Sequence, residues 1–290
     1  MDYLNTHWTS YEILDAGDKE KLERWDRVLL RRPDPQCLWP KDASNKNWNR
    51  ADAVYHRSRK GGGEWEYKRE LPEFWTISYG NMRLKVSPTG FKHTGIFPEQ
   101  AINWDWIADR ISHAERDITV LNLFAYTGAA TMAASLAGAK EVVHVDAAKG
   151  MVAWAKENAA LNHLEDHKIR FIVDDVNKFV AREKRRGRTY DAIIMDPPSY
   201  GRGPNGEMWK LEEQLPELIA SCMEILSDKP LFFLVNSYTT GYTAGSLKNL
   251  LTLTLKKKYP EGTVEVGQLS LPISHDDLTL PCGITGRFWL

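Results

Sequence analysis

The run Val120-Leu121-Asn122-Leu123-Phe124-Ala125-Tyr126-Thr127-Gly128 constrains the fold more than any other stretch of the chain. It is apolar and β-prone up to Phe124, passes through a short turn, and Gly128 then opens a helical stretch from Ala129 to Ala137. Strand, turn and helix in that order begin an open α/β sheet, which binds ligands at the carboxyl ends of its strands. A dinucleotide-binding turn carries three spaced glycines, so that backbone can approach a pyrophosphate at a helix N-terminus. This turn has one glycine. One close backbone approach suits a ligand without phosphate and makes a nicotinamide oxidoreductase a distant alternative.

Acids then follow at successive strand ends. Glu141-Val142-Val143-His144-Val145-Asp146 forms a second apolar run closed by a carboxylate, and Ile169-Arg170-Phe171-Ile172-Val173 precedes Asp174-Asp175. Asp146 lies 18 residues past Gly128, the interval at which an acid closing the next strand accepts hydrogen bonds from ribose hydroxyls. The competing role for Asp146 and Asp174 is an ordinary helix N-cap. A fourth run, Tyr190 to Met195, leads straight into Asp196-Pro197-Pro198-Ser199-Tyr200. Two prolines have no backbone N–H and hold the chain extended, so they make a stiff wall. In front of it Asp196 and nearby carbonyls can orient a nucleophile, and Tyr200 can stack on a planar ring.

With these motifs, residues from about 90 to 290 resemble class I S-adenosyl-L-methionine-dependent methyltransferases. The nearest branch contains the large-subunit ribosomal RNA cytosine-C5 and guanine-N7 methyltransferases. The resemblance implies a seven-stranded, mostly parallel, Rossmann-like sheet with an antiparallel last strand, S-adenosylmethionine as cofactor, and RNA methylation in rRNA processing. In that branch a Phe-x-Asp-Gln-Arg-like motif precedes the first strand. Here Phe97 and Gln100 match it, Glu99 replaces the acid, and Ala101 stands in place of the arginine. By the same resemblance Asn122, Phe124, Tyr126, Thr127 and Gly128 surround the methionine part of the cofactor. Asp146 holds the ribose, Asp175 and Val176 sit by the adenine, and Asp196, Pro197, Pro198 and Tyr200 form the catalytic wall, with Asp196 also bordering the cofactor.

Methylation at C5 of a pyrimidine needs a transient thiolate bond to C6. The family's cysteine follows the fifth strand, but here Leu231 to Val235 is followed by Asn236-Ser237-Tyr238-Thr239, and Cys37, Cys222 and Cys282 lie elsewhere. A nitrogen or oxygen acceptor is therefore expected, one that attacks the methyl directly while the enzyme positions it and accepts its proton. Asp196, Tyr200, Asn236 and Tyr238 are the groups expected to face that acceptor. The same chemistry on a protein or small molecule stays open, as does a non-catalytic cofactor-binding protein, which the intact Asp196-Pro197-Pro198 argues against.

A formal net charge of -1 gives no global attraction to nucleic acid, so an RNA partner has to be met by local patches. His56 to Lys60, ahead of Gly61-Gly62-Gly63, is the better candidate, with Arg57 and Arg59 as substrate contacts; Arg182 to Arg188 suits a solvated helix end. Three scattered cysteines give neither a disulfide framework nor metal spacing. No secretory signal or apolar run of about 18 residues stands out, so a cytoplasmic, membrane-free protein is expected. Nothing in the sequence specifies an oligomeric state.

Eight of the eleven tryptophans fall before residue 110. The expected division is an N-terminal β-rich substrate-recognition domain, 1–110, and a methyltransferase domain, 111–290. Strands are expected at Glu64 to Glu70, Phe74 to Tyr79 and Met82 to Val86, with the tryptophans in that domain's core and Trp65 and Tyr67 as stacking candidates. At the far end Ala244 to Lys257 is expected to be helical. Thr263 to Leu271 and Ile284 to Leu290 are expected as antiparallel neighbouring strands, since the loop between them is too short for a crossover helix. His275 in that loop is a candidate proton acceptor.

Overall fold

The computed structural model describes residues 2–58, 62–202, 208–239 and 241–290. Arg59 lies outside the described residues. The chain forms two compact units. An α/β unit comprises residues 1–2, 103–268 and 283–290, and a β-rich unit comprises 3–102 and 269–282. The sequence places a single boundary at 110; the packed units meet instead at 102/103, and the chain returns to the β-rich unit for fourteen residues near its end.

The α/β unit is built on β1 (Thr119–Leu123), β2 (Glu141–Asp146), β3 (Ile169–Val173), β4 (Ala192–Met195), β5 (Phe232–Ser237), β6 (Thr263–Pro272) and β7 (Thr279–Trp289). The sheet order is β3-β2-β1-β4-β5-β7-β6, and the short strand Asp2–Leu4 adds an eighth beside β6, where seven were expected. The first five in that order are parallel, and β7 is antiparallel to β5. The sequence of β4, Ala192-Ile193-Ile194-Met195, and Phe232 to Val235 of β5 are buried without interruption, as suits parallel strands covered on both faces. Helices α1 (Ala101–Ser112), α2 (Ala129–Leu136), α3 (Lys149–Leu161), α4 (Val176–Arg185), α5 (Leu211–Met223) and α6 (Ala244–Lys258) accompany the strands.

Register decides which residues share an edge. Leu123 stands level with Val145 of β2 and Met195 of β4; Met195 is level with Val235 of β5, and Asp146 with Val173 of β3. The residues just beyond, Phe124, Asp196 and Asn236, therefore form one row with Asp146 along the carboxyl edge, and Asp174 lies one residue past it, after β3. The chain leaves β1 toward β2 and β3 on one side and resumes with β4 and β5 on the other, so the order switches between β1 and β4.

The β-rich unit carries a five-stranded sheet of Tyr11–Gly17, Glu20–Trp25, Val28–Pro33, Ala53–Arg57 and Gly63–Tyr67, in that order, and a hairpin of Trp75–Tyr79 with Met82–Val86. The last three strands match the expected positions within a few residues. Trp25 and Trp48 are buried. Trp65 donates its indole N–H to the carbonyls of Thr89 (2.9 Å) and Phe91 (3.2 Å) and packs edge-on against Tyr55, which leaves Tyr67, 52% exposed, as the accessible aromatic of the pair.

Candidate active site

The site begins with the turn after β1. Phe124, Tyr126 and Gly128 all have left-handed backbones, with φ of 54°, 52° and 86°. Only glycine adopts that region without steric cost. A Cβ on Gly128 would stand 3.0 Å from Ala155 Cβ, 3.3 Å from Met132 Cε and 3.4 Å from His144 Cε1, so glycine is required by packing as well. The winding of this turn directs the Tyr126 N–H to Asp146 Oδ2 at 2.9 Å, while the Ala148 N–H reaches Oδ1 at 2.8 Å. Burial raises the Asp146 carboxyl above its ordinary pKa, and the two N–H groups oppose that rise.

Beneath the turn lies a buried polar relay. Asn122 Nδ2 donates to Thr131 Oγ1 at 3.0 Å, and Thr131 Oγ1 is 2.9 Å from His144 Nδ1. Burial lowers the His144 pKa to about 3, so the ring is neutral. Asn158 Nδ2 donates to the Thr127 carbonyl at 2.8 Å and ties α3 to the turn. Asn122 is thus an internal brace of the turn, 2% exposed.

A cleft of about 250 Å³ opens beside Asp146. Its described walls include Phe124, Asp175, Val176, Pro198, Gly201 and Trp209. Asp175 is also the N-cap of α4, accepting the Lys178 N–H at 2.9 Å, so the capping and cleft-lining roles coincide in one residue. Asp174 instead accepts from Arg182 at 2.6 Å.

After β4, Pro197 is buried while Pro198 and Tyr200 are exposed. Tyr200–Arg202 pairs antiparallel with Met208–Lys210, a hairpin the sequence did not announce. It brings in Trp209, whose ring lies 5.0 Å from Phe124. Its neighbours in sequence, Met208 and Lys210, carry no alternation long enough to mark a strand, which is why it was missed.

Asn236 is buried and accepts from Asn103 Nδ2 at 3.1 Å; Asn103 Oδ1 in turn accepts from Arg287 Nη2 at 2.7 Å. Tyr238 packs where a Cβ on Gly283 would fall. Phe97 and Gln100 belong to the β-rich unit, Phe97 capping the short turn Pro98–Gln100, in which Gln100 is buried. Arg57 is exposed at the end of its strand. His275, also in that unit, pairs with Asp42 at 2.8 Å. Cys37, Cys222 and Cys282 are free, and burial raises all three thiols, Cys37 to about 12. Among the described residues no cluster of three or more His, Cys, Asp or Glu could hold a metal, and no helix is long and apolar enough to cross a membrane.

A carboxylate with spare lone pairs, flanked by the apolar walls of Phe124, Val176, Pro198 and Trp209, fits a nucleoside: the acid for a ribose diol, the walls for a base. A family model described as S-adenosylmethionine-dependent methyltransferase matches residues 20–231. A ribosomal RNA large subunit methyltransferase K/L from Shewanella baltica is 31% identical over 260 residues, 88% of this chain and 33% of its own length. The chain thus spans about a third of the curated relatives it matches. The crystal structure of a methyltransferase from Agrobacterium tumefaciens superposes with a TM-score of 0.94 at 36% identity, covering 100% of this chain and 93% of that one. A methyltransferase complexed with SAH shares the fold, at TM-score 0.72 and 22% identity over 98% of this chain and 76% of its own. Since the family model spans more than half of the chain and the Agrobacterium structure aligns with all of it, the chain belongs to the S-adenosylmethionine-dependent methyltransferases.

Proposed function

We propose that this methyltransferase modifies a nitrogen or oxygen of an RNA base, in ribosomal RNA. The observation that carries the RNA assignment is the 31% identity, over 88% of this chain, to a protein named for ribosomal RNA methylation. When bound, S-adenosylmethionine supplies an electrophilic methyl group, and the chain's residues position what flanks it. Each Asp146 oxygen already accepts one backbone N–H and keeps a lone pair for a ribose hydroxyl. Phe124, Val176 and Trp209 keep water from the base, and Asp175 borders its edge. Tyr126, Thr127 and Gly128 shape the methionine end, braced from below by Asn122; Phe97 and Gln100 are assigned to the cofactor by resemblance.

On the acceptor side, Asp196 follows β4 in the same row as Asn236 of β5. Asp196 accepts the proton of the acceptor nitrogen or oxygen, Pro197-Pro198 holds it in place, and Tyr200, 53% exposed, stacks on the extruded base. Asn236, tied to Asn103, sets the position of the strand end, and Tyr238 follows it. Arg57 and Tyr67, both exposed on the β-rich unit, meet phosphate and an unpaired base. The division of labour is RNA recognition by the N-terminal domain and transfer by the rest. Three free thiols suit the cytoplasm.

Methyl transfer from radiolabelled S-adenosylmethionine into separated RNA, protein and metabolite fractions of cells lacking this gene tests the assignment. Label in RNA is expected, and label confined to protein or metabolites rejects the RNA acceptor. Asp146→Ala is expected to weaken SAH binding at least about tenfold by calorimetry, as loss of a charged hydrogen-bond acceptor does. Unchanged affinity would remove Asp146 from the ribose.

A further inference from the structure

The turn after β4 has an anchoring problem that follows from its composition. Pro197 and Pro198 have no backbone N–H, so past the Asp196 amide, which donates to the Leu123 carbonyl at 3.3 Å, the turn cannot be tied down by its own donors until Ser199. Its ties have to come from outside, to its acceptors. The Pro198 carbonyl accepts the Trp209 indole N–H at 2.6 Å, the Ser199 carbonyl accepts the Leu211 N–H at 3.1 Å, and Ser199 Oγ accepts the Thr239 hydroxyl at 2.7 Å. Two of these three come from one short stretch, the return strand of the hairpin and the first residue of α5.

Trp209 is held for this task. It is 8% exposed, its strand pairs Gly201 with Trp209 itself, and the ring lies 5.0 Å from Phe124 at an interplanar angle of 52°. A Cβ on Gly201 would lie 3.4 Å from Pro198 Cγ and 3.8 Å from Trp209 Cβ, ordinary packing distances that place Gly201 beside both side chains. We propose that Trp209 is a positioning residue with two separable contributions. Its indole N–H fixes the Pro198 carbonyl, and with it the acceptor wall headed by Asp196; its ring closes the cofactor cleft against Phe124. The first contribution governs the rate of transfer, because the acceptor has to meet the methyl carbon in line, and the second governs cofactor affinity.

Trp209→Phe keeps an aromatic ring and deletes the N–H, whereas Trp209→Ala deletes both. The SAH affinity of the purified full chain by calorimetry, and the methyl-transfer rate into RNA from cells lacking the gene at saturating S-adenosylmethionine, separate the two. Trp209→Phe is expected to bind SAH within about twofold of the parent and to transfer methyl at least about tenfold more slowly. Trp209→Ala is expected to lose affinity as well. An unchanged rate in Trp209→Phe, or rate and affinity falling by the same factor, overturns the proposal. The rate arm rests on the RNA assignment, so hydrogen exchange is followed in parallel. Should the parent itself leave RNA unlabelled, that assignment fails, and exchange alone decides on Trp209. Faster exchange confined to the amides of Ser199, Tyr200 and Gly201 in Trp209→Phe supports its role; unchanged exchange there, or a general loss of protection, rejects it.

Discussion

At the scale of residues, the turn after β1 stores backbone strain. Phe124 and Tyr126 are aromatic yet left-handed, a conformation that costs about 1–3 kcal/mol at each position and persists only where surrounding structure enforces it. What it secures is visible: the Tyr126 N–H reaches Asp146. Gly128 was legible in the sequence as the single glycine of a strand-to-helix turn, read there as one close backbone approach, but nothing in the letters marks Phe124 or Tyr126 as left-handed. That depends on the carboxylate and the packing that hold them. Gly128→Ala is expected to add about 1–2 kcal/mol of strain and to crowd Ala155, 3.0 Å from the new Cβ. The result should be a lower melting temperature and SAH binding weakened at least about tenfold, read by thermal denaturation and calorimetry; full affinity in a stable variant would mean that the turn is not the cofactor's support. Asp175 carries a related lesson: the sequence offered the capping role to Asp146 and Asp174, whereas in space it falls to Asp175, which lines the cleft as well.

At the scale of elements, parallel register puts the strand ends level, and those ends make the site. The five parallel strands were legible because each is a short apolar run, the first leading into the Gly128 turn and the other four into an acid or amide. The strands between Tyr11 and Pro33 were not, for a physical reason. Glu23, fully buried, takes two hydrogen bonds from Arg32 (2.6 and 2.7 Å) and one from Tyr11 (2.7 Å). Burial would raise its carboxyl, but Arg32 and Lys21 outweigh that and hold it at about 2. Charges buried in pairs erase the apolar alternation by which a strand is recognised. Helix packing leaves a further mark at Gly286 of β7, level with Val235, where a Cβ would come within 2.5 Å of Leu251 Cδ1 of α6. Gly286→Val is expected to push α6 off the sheet and destabilise by about 1–3 kcal/mol, as overpacking does. Urea unfolding measures it, and an unshifted midpoint would show that α6 moves without cost.

At the scale of the whole molecule, stability carries a pH signature from a residue outside the cleft. Burial lowers His144 from 6.5 to about 3. Between those values the unfolded chain binds a proton that the folded chain refuses, so stability is complete above pH 6.5 and declines as pH falls. At pH 5 the loss amounts to about 2 kcal/mol. His144→Gln removes the titrating group, so between pH 7 and pH 5 its unfolding free energy should fall by about 2 kcal/mol less than that of the parent. Equal declines in urea titrations at the two pH values would remove His144 as the source. The sequence by itself determined the α/β sheet, its order of strand-end acids and its single-glycine turn, because apolar period, glycine and proline act locally on the backbone. Only the tertiary structure decided the return of residues 269–282 to the β-rich unit, the inward turn of Asn122 and Asn236, and the arrival of Trp209 beside Phe124. These depend on partners such as Thr131, Asn103 and Pro198, distant or separated by a fold in the chain, and a hydrogen bond is specified by where two groups meet, which no local pattern records.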